Sequence, residues 1–350
     1  MRILIVVPQQ DHVSGNWVTA RRFQQGLEKL GHRTMLLEIR FHEDEFFRNK
    51  MIDFAPDVAL LLHAYRSGSP WLQHTGRIMM PTVVMLTGTD VNYGFDDPEQ
   101  NDVMQTVIEQ AACVFLQNPI IAAALCRKQP ALGTKLRTVS PGIILGHETC
   151  ALRATHGIPQ RLTLFLLPAG LRPVKGAIGL LHIFDQLEPR GQSFHLAICG
   201  PVLDADYGRR FLAEIETRPW ASYLGVIPPE AMAGAMREAD VIVNNSDSEG
   251  LANSLLEAAA LGVPILARNN PGNAALVRHD VNGLLFDDDQ DCLHHATQLL
   301  EQARRTQLSR PDSSYSPEQE AQELEQILLE AETLSTKITN NSPLRLNLAE

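Results

Sequence analysis

The stretch from Asp240 to Gly262 holds the residues whose types and spacing bear most directly on chemistry. A strand-like run, Val241-Ile-Val-Asn-Asn245, leads into a short loop, Ser246-Asp-Ser-Glu249-Gly250-Leu251, and then into a helical stretch through Glu257 that ends at Gly262. Gly250 permits a sharp turn. The backbone N–H groups after it lie at a helix start, where unpaired donors and the helix dipole favour an anion such as a diphosphate. Glu249 sits on the loop, and Glu257 stands about five residues into the helix, ~7.5 Å along its axis. Two carboxylates flanking an anion site can accept hydrogen bonds from sugar hydroxyls on either side of a diphosphate. Isolated surface acids mostly just solvate, so it is the placing of this pair around a helix start that singles it out.

Short apolar, β-branched runs alternate with helix-like segments along the whole chain and position these residues. Strands are predicted near 2–7, 34–38, 58–62, 82–86, 113–117 and 136–139, then near 162–167, 194–199, 222–226, 240–244, 263–267 and 284–286. Six and six, separated by helices, predict an α/β fold of two doubly wound parallel sheets. Continuous runs such as Val58-Ala-Leu-Leu-Leu62 fit strands buried on both faces. The first helix is expected from a Ser14 cap, with Trp17, Ala20, Phe23, Leu27 and Leu30 on one face and Gly31 as its stop. Residues Arg153 to Gln160, with Gly157 and Pro159, read as the interdomain linker. The division expected is thus 1–155, 161–312, a C-terminal helix at 316–338 that crosses back to the first lobe, and a disordered tail at 339–350. Ser316-Pro317-Glu318-Gln319 opens that helix as a capping box. Two such lobes create a cleft between the carboxyl ends of their sheets, where α/β proteins bind ligands.

Composition narrows the field further. The chain has 350 residues, 44% of them hydrophobic and 20% charged, which suits an ordinary globular protein of two domains. The net charge of −11 argues against nucleic acid as a partner, and more than half of the excess lies in the last forty residues, with 2 basic and 8 acidic side chains. No apolar run approaches the ~18 residues that a membrane-spanning helix needs. The N-terminal apolar run is too short for a signal peptide. The five cysteines are odd in number, with no Cys-x-x-Cys pair, and read as reduced thiols in a cytoplasmic protein. Neither lobe carries a Gly-x-Gly-x-x-Gly turn or a Walker loop.

Glu249-Gly-Leu-Ala-Asn-Ser-Leu-Leu-Glu257 resembles the Glu-x7-Glu motif of the GT-B glycosyltransferases of family 4. Ala-Ala-Ala-Leu-Gly262-Val-Pro264, Pro271-Gly272-Asn273 and Asn282-Gly283-Leu-Leu-Phe286 match its continuation over about 45 residues. Gly170-Leu-Arg172-Pro-Val-Lys175-Gly176 resembles the family's Gly-Arg-…-Lys-Gly loop, one residue tighter and with the Arg displaced by one. The resemblance implies two Rossmann-like lobes facing across a cleft and a retaining, metal-independent transfer from a nucleotide sugar. It implies that Glu257 binds the ribose and Glu249 the donor sugar, while Lys175 and Arg172 neutralise the leaving diphosphate. The donor set it implies is Gly170, Arg172, Lys175, Gly200, Glu249, Gly250, Leu251, Ala252, Asn253 and Glu257.

In the first lobe, Ser14, Gly15 and Asn16 lie where the family has a Gly-rich loop, without its double Gly. Leu86-Thr-Gly88-Thr89-Asp90 lies where many relatives have His-Asp, so Asp90 aligns and Thr89 stands in the position of the His. His63, at the end of the third strand, and Arg66 complete the expected acceptor set of Ser14, Gly15, Asn16, His63, Arg66 and Asp90. Asp90 joins Glu249, Lys175 and Arg172 as a candidate for catalysis. A front-face retaining transfer, in which the departing phosphate takes the acceptor proton, needs no strong side-chain base. Asp204-Ala-Asp206, Asp287-Asp-Asp289, His294-His295 and the sequon-like Asn244-Asn-Ser246 are read as decoys, and no metal site is expected.

Finer likenesses point to two subfamilies. Ser14-Gly-Asn-x-Val-Thr-Ala20, Leu-His63-Ala, Thr87-Gly-Thr-Asp90 and Leu171-Arg-Pro-Val-Lys175 resemble bacterial selenosugar synthases, which join N-acetylglucosamine from UDP-GlcNAc to selenophosphate. The second lobe resembles the animal glycosyltransferase 1 domain-containing proteins. The expected partners are therefore a nucleotide sugar, UDP-linked with UDP-GlcNAc as the candidate, and a small-molecule acceptor; the alternative readings are selenosugar synthase-like transfer of GlcNAc to selenophosphate or thiophosphate, and a GT-B-type nucleotide-sugar epimerase.

Overall fold

A computed structural model describes residues 1–9, 14–41, 44–75, 80–187 and 193–340, with side chains as far as residue 334. It divides into two compact units: Met1–Gly142 with the segment from Ser316, and Ile143–Tyr315.

The first unit is built on β1 (Arg2–Pro8), β2 (Arg33–Ile39), β3 (Val58–Leu62), β4 (Thr82–Met85), β5 (Cys113–Leu116) and β6 (Leu136–Thr138). They form one sheet in the order β2-β1-β3-β4-β5-β6, every pair parallel. Successive residues of a strand face opposite sides of the sheet. In β1, Leu4 and Val6 accordingly enter one apolar cluster while Ile3, Ile5 and Val7 enter the other. The first helix, Gly15–Lys29, begins with Ser14 accepting the Trp17 N–H at 3.2 Å and buries Ala20, Phe23 and Leu27 on the sheet.

The C-terminal helix, Pro317–Asn340, lies in this same unit. Its Leu324, Ile327, Leu328 and Ala331 fill the cluster that the first helix leaves open. A buried carboxylate fixes its start. Glu320 accepts Arg22 Nε and Nη2 at 2.7 and 2.9 Å, Gln117 Nε2 at 2.6 Å and the Gly142 N–H at 2.8 Å. Ser316 caps the helix through the Gln319 N–H, but Gln319 turns to Glu323, so only half of the expected capping box forms. Helix continues through 339 and 340, and the rest of the expected disordered tail, 341–350, falls outside the described residues.

The second unit is built on β7 (Thr163–Pro168), β8 (Phe194–Cys199), β9 (Ala221–Tyr223), β10 (Val241–Asn244), β11 (Ile265–Arg268) and β12 (Gly283–Phe286). Their order is β12-β11-β10-β7-β8-β9, again all parallel. The chain winds outward from β7 in one direction and then returns to lay β10 on its other side. The gap between the carboxyl ends of β7 and β10 is therefore the topological switch point, where open α/β sheets bind ligands.

The expected linker at 153–160 is not where the chain changes units. Ile143, Leu152 and Ile158 are buried in the second unit's core, and the helix Leu152–Thr155 belongs to it. Arg153, 6% exposed, pairs with Asp240 Oδ2 at 2.6 Å and donates to the Glu238 carbonyl. A Gly- and Pro-bearing stretch looks like a linker in sequence, but a buried arginine needs its carboxylate, and this one ties residues 143–160 down. The chain passes between units at 142–143 and again at 315–316.

Candidate active site

Two loops meet at the second unit's switch point. After β7 the chain runs through Ala169, Gly170 and Leu171 to Arg172, makes a tight turn over Pro173–Lys175 and enters the helix Ala177–Phe184 at Gly176. Gly176 has φ +62°, and a Cβ there would lie 2.5 Å from the Asn245 carbonyl oxygen. Only glycine allows both the left-handed backbone and this approach to the second loop. After β10 the chain forms the loop 245–252 and then the helix Asn253–Leu261. The Asp247 N–H donates to the Val174 carbonyl at 2.9 Å, which stitches the two loops together.

Lys175 and Glu249 meet there. Lys175 Nζ donates to Glu249 Oε1, and the side chains are 16% and 12% exposed. Ser246 Oγ at 2.7 Å and Asn244 Nδ2 at 3.3 Å donate to the same oxygen. Burial alone would raise the Glu249 carboxyl, but the Lys175 ammonium and these donors outweigh it and hold the group below the usual carboxylate range. An ionised carboxylate with a movable cation suits a site that receives a charged ligand.

A layer of amides supports the pair. Asn273 Nδ2 donates to Asn244 Oδ1 at 3.2 Å, Asn270 Nδ2 to the Ser246 carbonyl at 2.8 Å, and Asn245 Nδ2 to the Gly176 carbonyl at 2.8 Å. Gly272 lies against the Glu249 backbone, and a Cβ there would fall 2.4 Å from Glu249 Cβ. These residues act on the site by fixing Glu249. The runs Val-Asn-Asn-Ser and Arg-Asn-Asn-Pro-Gly-Asn were visible in the sequence, but nothing in their spacing showed that they share one floor.

The other residues expected at the donor lie on the elements around this switch point. The helix Asn253–Leu261 begins at Ala252, which supplies no side-chain cap, and its amino end lies at this loop. Gly250, Leu251 and Asn253 are half-buried beside it. Glu257 is half-buried one turn into the helix. Its charge, after burial, contributes to pushing the Cys199 thiol up to about 12, which puts Glu257 within electrostatic reach of the end of β8, next to Gly200. The Gly200 carbonyl accepts Tyr223 Oη at 2.6 Å. Gly170 packs against Leu203, and Arg172 is half-buried, its Nε enclosed without a hydrogen-bond partner among the described residues. The structure thus brings together Lys175, Glu249 and the helix start, with Arg172 and Glu257 on the flanking elements.

The first unit has its own switch point, between β1 and β3. His63 follows β3 directly, with φ +82° and 2% exposure. Its Nδ1 lies 2.7 Å from Asp90 Oδ1, and its Nε2 lies 2.8 Å from Thr89 Oγ1. Asp90 is fully buried. It receives the N–H groups of Ala64, Tyr65 and Thr87 at 3.1, 3.2 and 2.9 Å, and Thr87 Oγ1 at 3.1 Å. Burial works to raise its carboxyl, but His63 and these donors prevail and leave it below the ordinary range. Its oxygens are thus engaged by the backbone, by Thr87 and by His63. Arg66 is exposed, and its N–H points at His63 Nδ1 from 3.1 Å. Ser14 is committed to its cap, while Gly15 is exposed and Asn16 half-buried at the helix start. Thr89, half-buried at the outer end of the Asp90–His63 line, was not among the expected site residues. Its alignment with a missing histidine was the available signal.

The decoys have structural employment. Asp204 caps the helix Ala205–Ile215, Asp206 pairs with Arg209, and Asp288 caps the helix Asp289–Leu299. Among the described residues no group of three His, Cys, Asp or Glu side chains is arranged to hold a metal. Among them, too, no helix is long and apolar enough to cross a membrane.

Comparison with known proteins agrees with this geometry. Residues 150–310 match the family Glycosyl transferases group 1. The chain is similar to glycosyltransferase 1 domain-containing protein 1 of Xenopus tropicalis, 27% identical over 307 residues that cover 86% of this chain and 88% of that one. Among solved structures, sucrose-phosphate synthase of Thermosynechococcus elongatus superposes with a TM-score of 0.75 at 17% identity, covering 97% of this chain and 100% of that one. Anabaena HepE, solved with UDP and glucose, gives a TM-score of 0.68 at 16% identity with the same coverage.

Proposed function

We propose, from residues 150–310 that match the group 1 glycosyltransferases and from a GT-B fold, a retaining, metal-independent transfer of a sugar from a UDP-sugar to a small acceptor. The observation that carries this reading is the Lys175–Glu249 pair at the switch point, beside an uncapped helix start that also bears Glu257. Lys175, Arg172 and the helix N–H groups hold the diphosphate and stabilise the charge that collects on it as the sugar–phosphate bond breaks. Glu249 releases Lys175 to the diphosphate and orients the sugar, and Glu257 accepts from the ribose hydroxyls. Cations and dipoles of the chain itself supply the charge that a metal supplies elsewhere, which supports metal independence. The acceptor is held by the first unit, for which Asn16 and Arg66 are the candidate contacts.

A donor screen by mass spectrometry tests the reading. UDP-glucose, UDP-GlcNAc and GDP-mannose are offered with water, glycerol, phosphate and thiophosphate in the presence of EDTA. A glycosylated product with the donor's anomeric configuration, lost in Glu257→Ala while circular dichroism is unchanged, is expected. Epimerised nucleotide sugar without transfer, or a requirement for a divalent cation, would refute it.

A further inference from the structure

Lys175 and Glu249 hold each other in this structure, and only one of the two is able to move. Ser246 Oγ and Asn244 Nδ2 donate to Glu249 Oε1 at 2.7 and 3.3 Å. Both donors are themselves anchored, Asn244 by Asn273 and the Ser246 carbonyl by Asn270. Gly272 closes the space behind, since a Cβ there would lie 2.4 Å from Glu249 Cβ. The backbones of the two loops are joined by the Asp247 N–H on the Val174 carbonyl at 2.9 Å, one residue before Lys175. What is left to swing is the four-carbon stem of Lys175, a flexible chain with a compact charge at its tip.

One oxygen, Glu249 Oε1, takes all three donors, and of these only Lys175 is charged. The carboxylate is 12% exposed, so water does little to replace a cation that leaves. Burial pushes the Glu249 carboxyl up, and Lys175 is the chief influence that brings it back down. Breaking a buried pair from one side strands a charge, and the loss is large even where forming the pair gains little. The two parts of a sugar nucleotide act on this pair in different ways. A diphosphate attracts Lys175 and, by taking it, strands Glu249. A sugar hydroxyl beside Glu249 donates to the carboxylate that Lys175 leaves. A bare nucleoside diphosphate brings the first without the second.

We propose that the Lys175–Glu249 pair is a latch, so that Lys175 passes fully to the diphosphate only when a sugar hydroxyl takes its place on Glu249. This rests on the transferase reading above and lies wholly within the second unit. Glu249 is then a specificity-determining residue that favours the intact sugar nucleotide over the nucleotide left after transfer, since the latch recloses once the sugar has gone. Apparent affinity scales with the fraction of molecules in the binding-competent state, so a latch open in about one molecule in ten weakens binding of the bare nucleotide about tenfold.

Isothermal titration calorimetry with UDP, UDP-glucose and UDP-GlcNAc tests the latch, at pH 8 to keep Glu249 ionised. In the wild type the tighter of the two sugar nucleotides should bind at least as tightly as UDP. Glu249→Gln keeps the shape of the side chain but lets Lys175 go. It should raise UDP affinity about tenfold, while the sugar nucleotide gains less or loses. Removing a negative charge near a diphosphate would help UDP whatever Lys175 does, so the comparison is repeated in Lys175→Met. There Glu249→Gln should change UDP affinity by less than about twofold, because the route through Lys175 is gone. An equal gain in both backgrounds would overturn the latch, as would unchanged or weaker UDP binding in Glu249→Gln. So would a wild type that binds UDP more than about twofold tighter than both sugar nucleotides, a comparison that stands even where a variant fails to fold. A wild-type protein that binds none of the three ligands refutes the transferase reading and the latch with it, whereas the outcomes before it refute the latch alone.

Discussion

Replacing Lys175 by Met isolates the cost of leaving Glu249 buried without its cation. The methionine keeps the length and the apolar stem of lysine but brings no charge. In the wild type the Glu249 side chain is 12% exposed and its Oε1 is shared among Lys175, Ser246 and Asn244. Removing one partner of a buried pair costs about 3–5 kcal/mol, and the residual exposure here places the effect at the lower end, about 3 kcal/mol. For a unit of this size each kcal/mol moves the midpoint by about 2–4 °C, so a drop of about 6–12 °C is expected at pH 7. Its pH dependence identifies the cause. The wild-type Glu249 carboxyl is held below its unfolded value, so its contribution is complete above that value and is lost only as pH falls through the lower, folded one. In Lys175→Met the ammonium is gone and desolvation dominates, so the carboxyl moves above its unfolded value and the penalty is relieved as it protonates. The gap between the two proteins should therefore be widest at pH 7 and narrow toward pH 4. Differential scanning calorimetry across that range measures it. A gap that stays constant from pH 7 to pH 4 would show that Glu249 is not desolvated as described.

Three further outcomes follow from other contacts. Gly272→Ala places a methyl 2.4 Å from Glu249 Cβ and 2.5 Å from its carbonyl oxygen, so the loop must move; UDP affinity by calorimetry should fall about tenfold or more through the displaced Glu249, and unchanged affinity would refute the packing argument. Glu320→Gln leaves the buried Arg22 without its carboxylate and should destabilise the first unit by about 3–5 kcal/mol in urea unfolding; a loss under about 1 kcal/mol would mean that the clamp is not what holds the C-terminal helix. Burial pushes the thiols of Cys113 to about 11 and of Cys199 and Cys292 to about 12. A thiol reagent at pH 8 should then titrate Cys126, and more slowly Cys150, in the folded protein and all five after unfolding; rapid reaction of Cys199 would contradict its burial.

The inner strands were legible because a parallel strand buried on both faces must be a continuous apolar run, a local property of residues such as Val58 to Leu62, whereas the edge strands β6 and β9 are short and partly polar. The loop at Glu249 and the helix behind it were legible for a similar reason, since a sharp turn at Gly250 and a stop at Gly262 (φ +71°) are written in neighbouring residues. Long-range pairings were not. Arg153 looked like part of a linker because its carboxylate, Asp240, lies 87 residues away. Glu320 looked like one more acid on a solvated helix, yet Arg22, 298 residues earlier, makes it a buried clamp. Asp90 aligned with a motif and was expected at the acceptor, but only the fold shows that its oxygens are already taken, and only the fold sets His63 between it and Thr89. Sequence by itself determined the strand and helix content, the two-sheet architecture and the donor-side motif, because each depends on residues close in the chain. The partners of buried charges, the point where the chain changes units and the line of Thr89, His63 and Asp90 were decided by tertiary structure, because a charge taken out of water is stabilised by whatever the fold brings to it, at any separation along the chain.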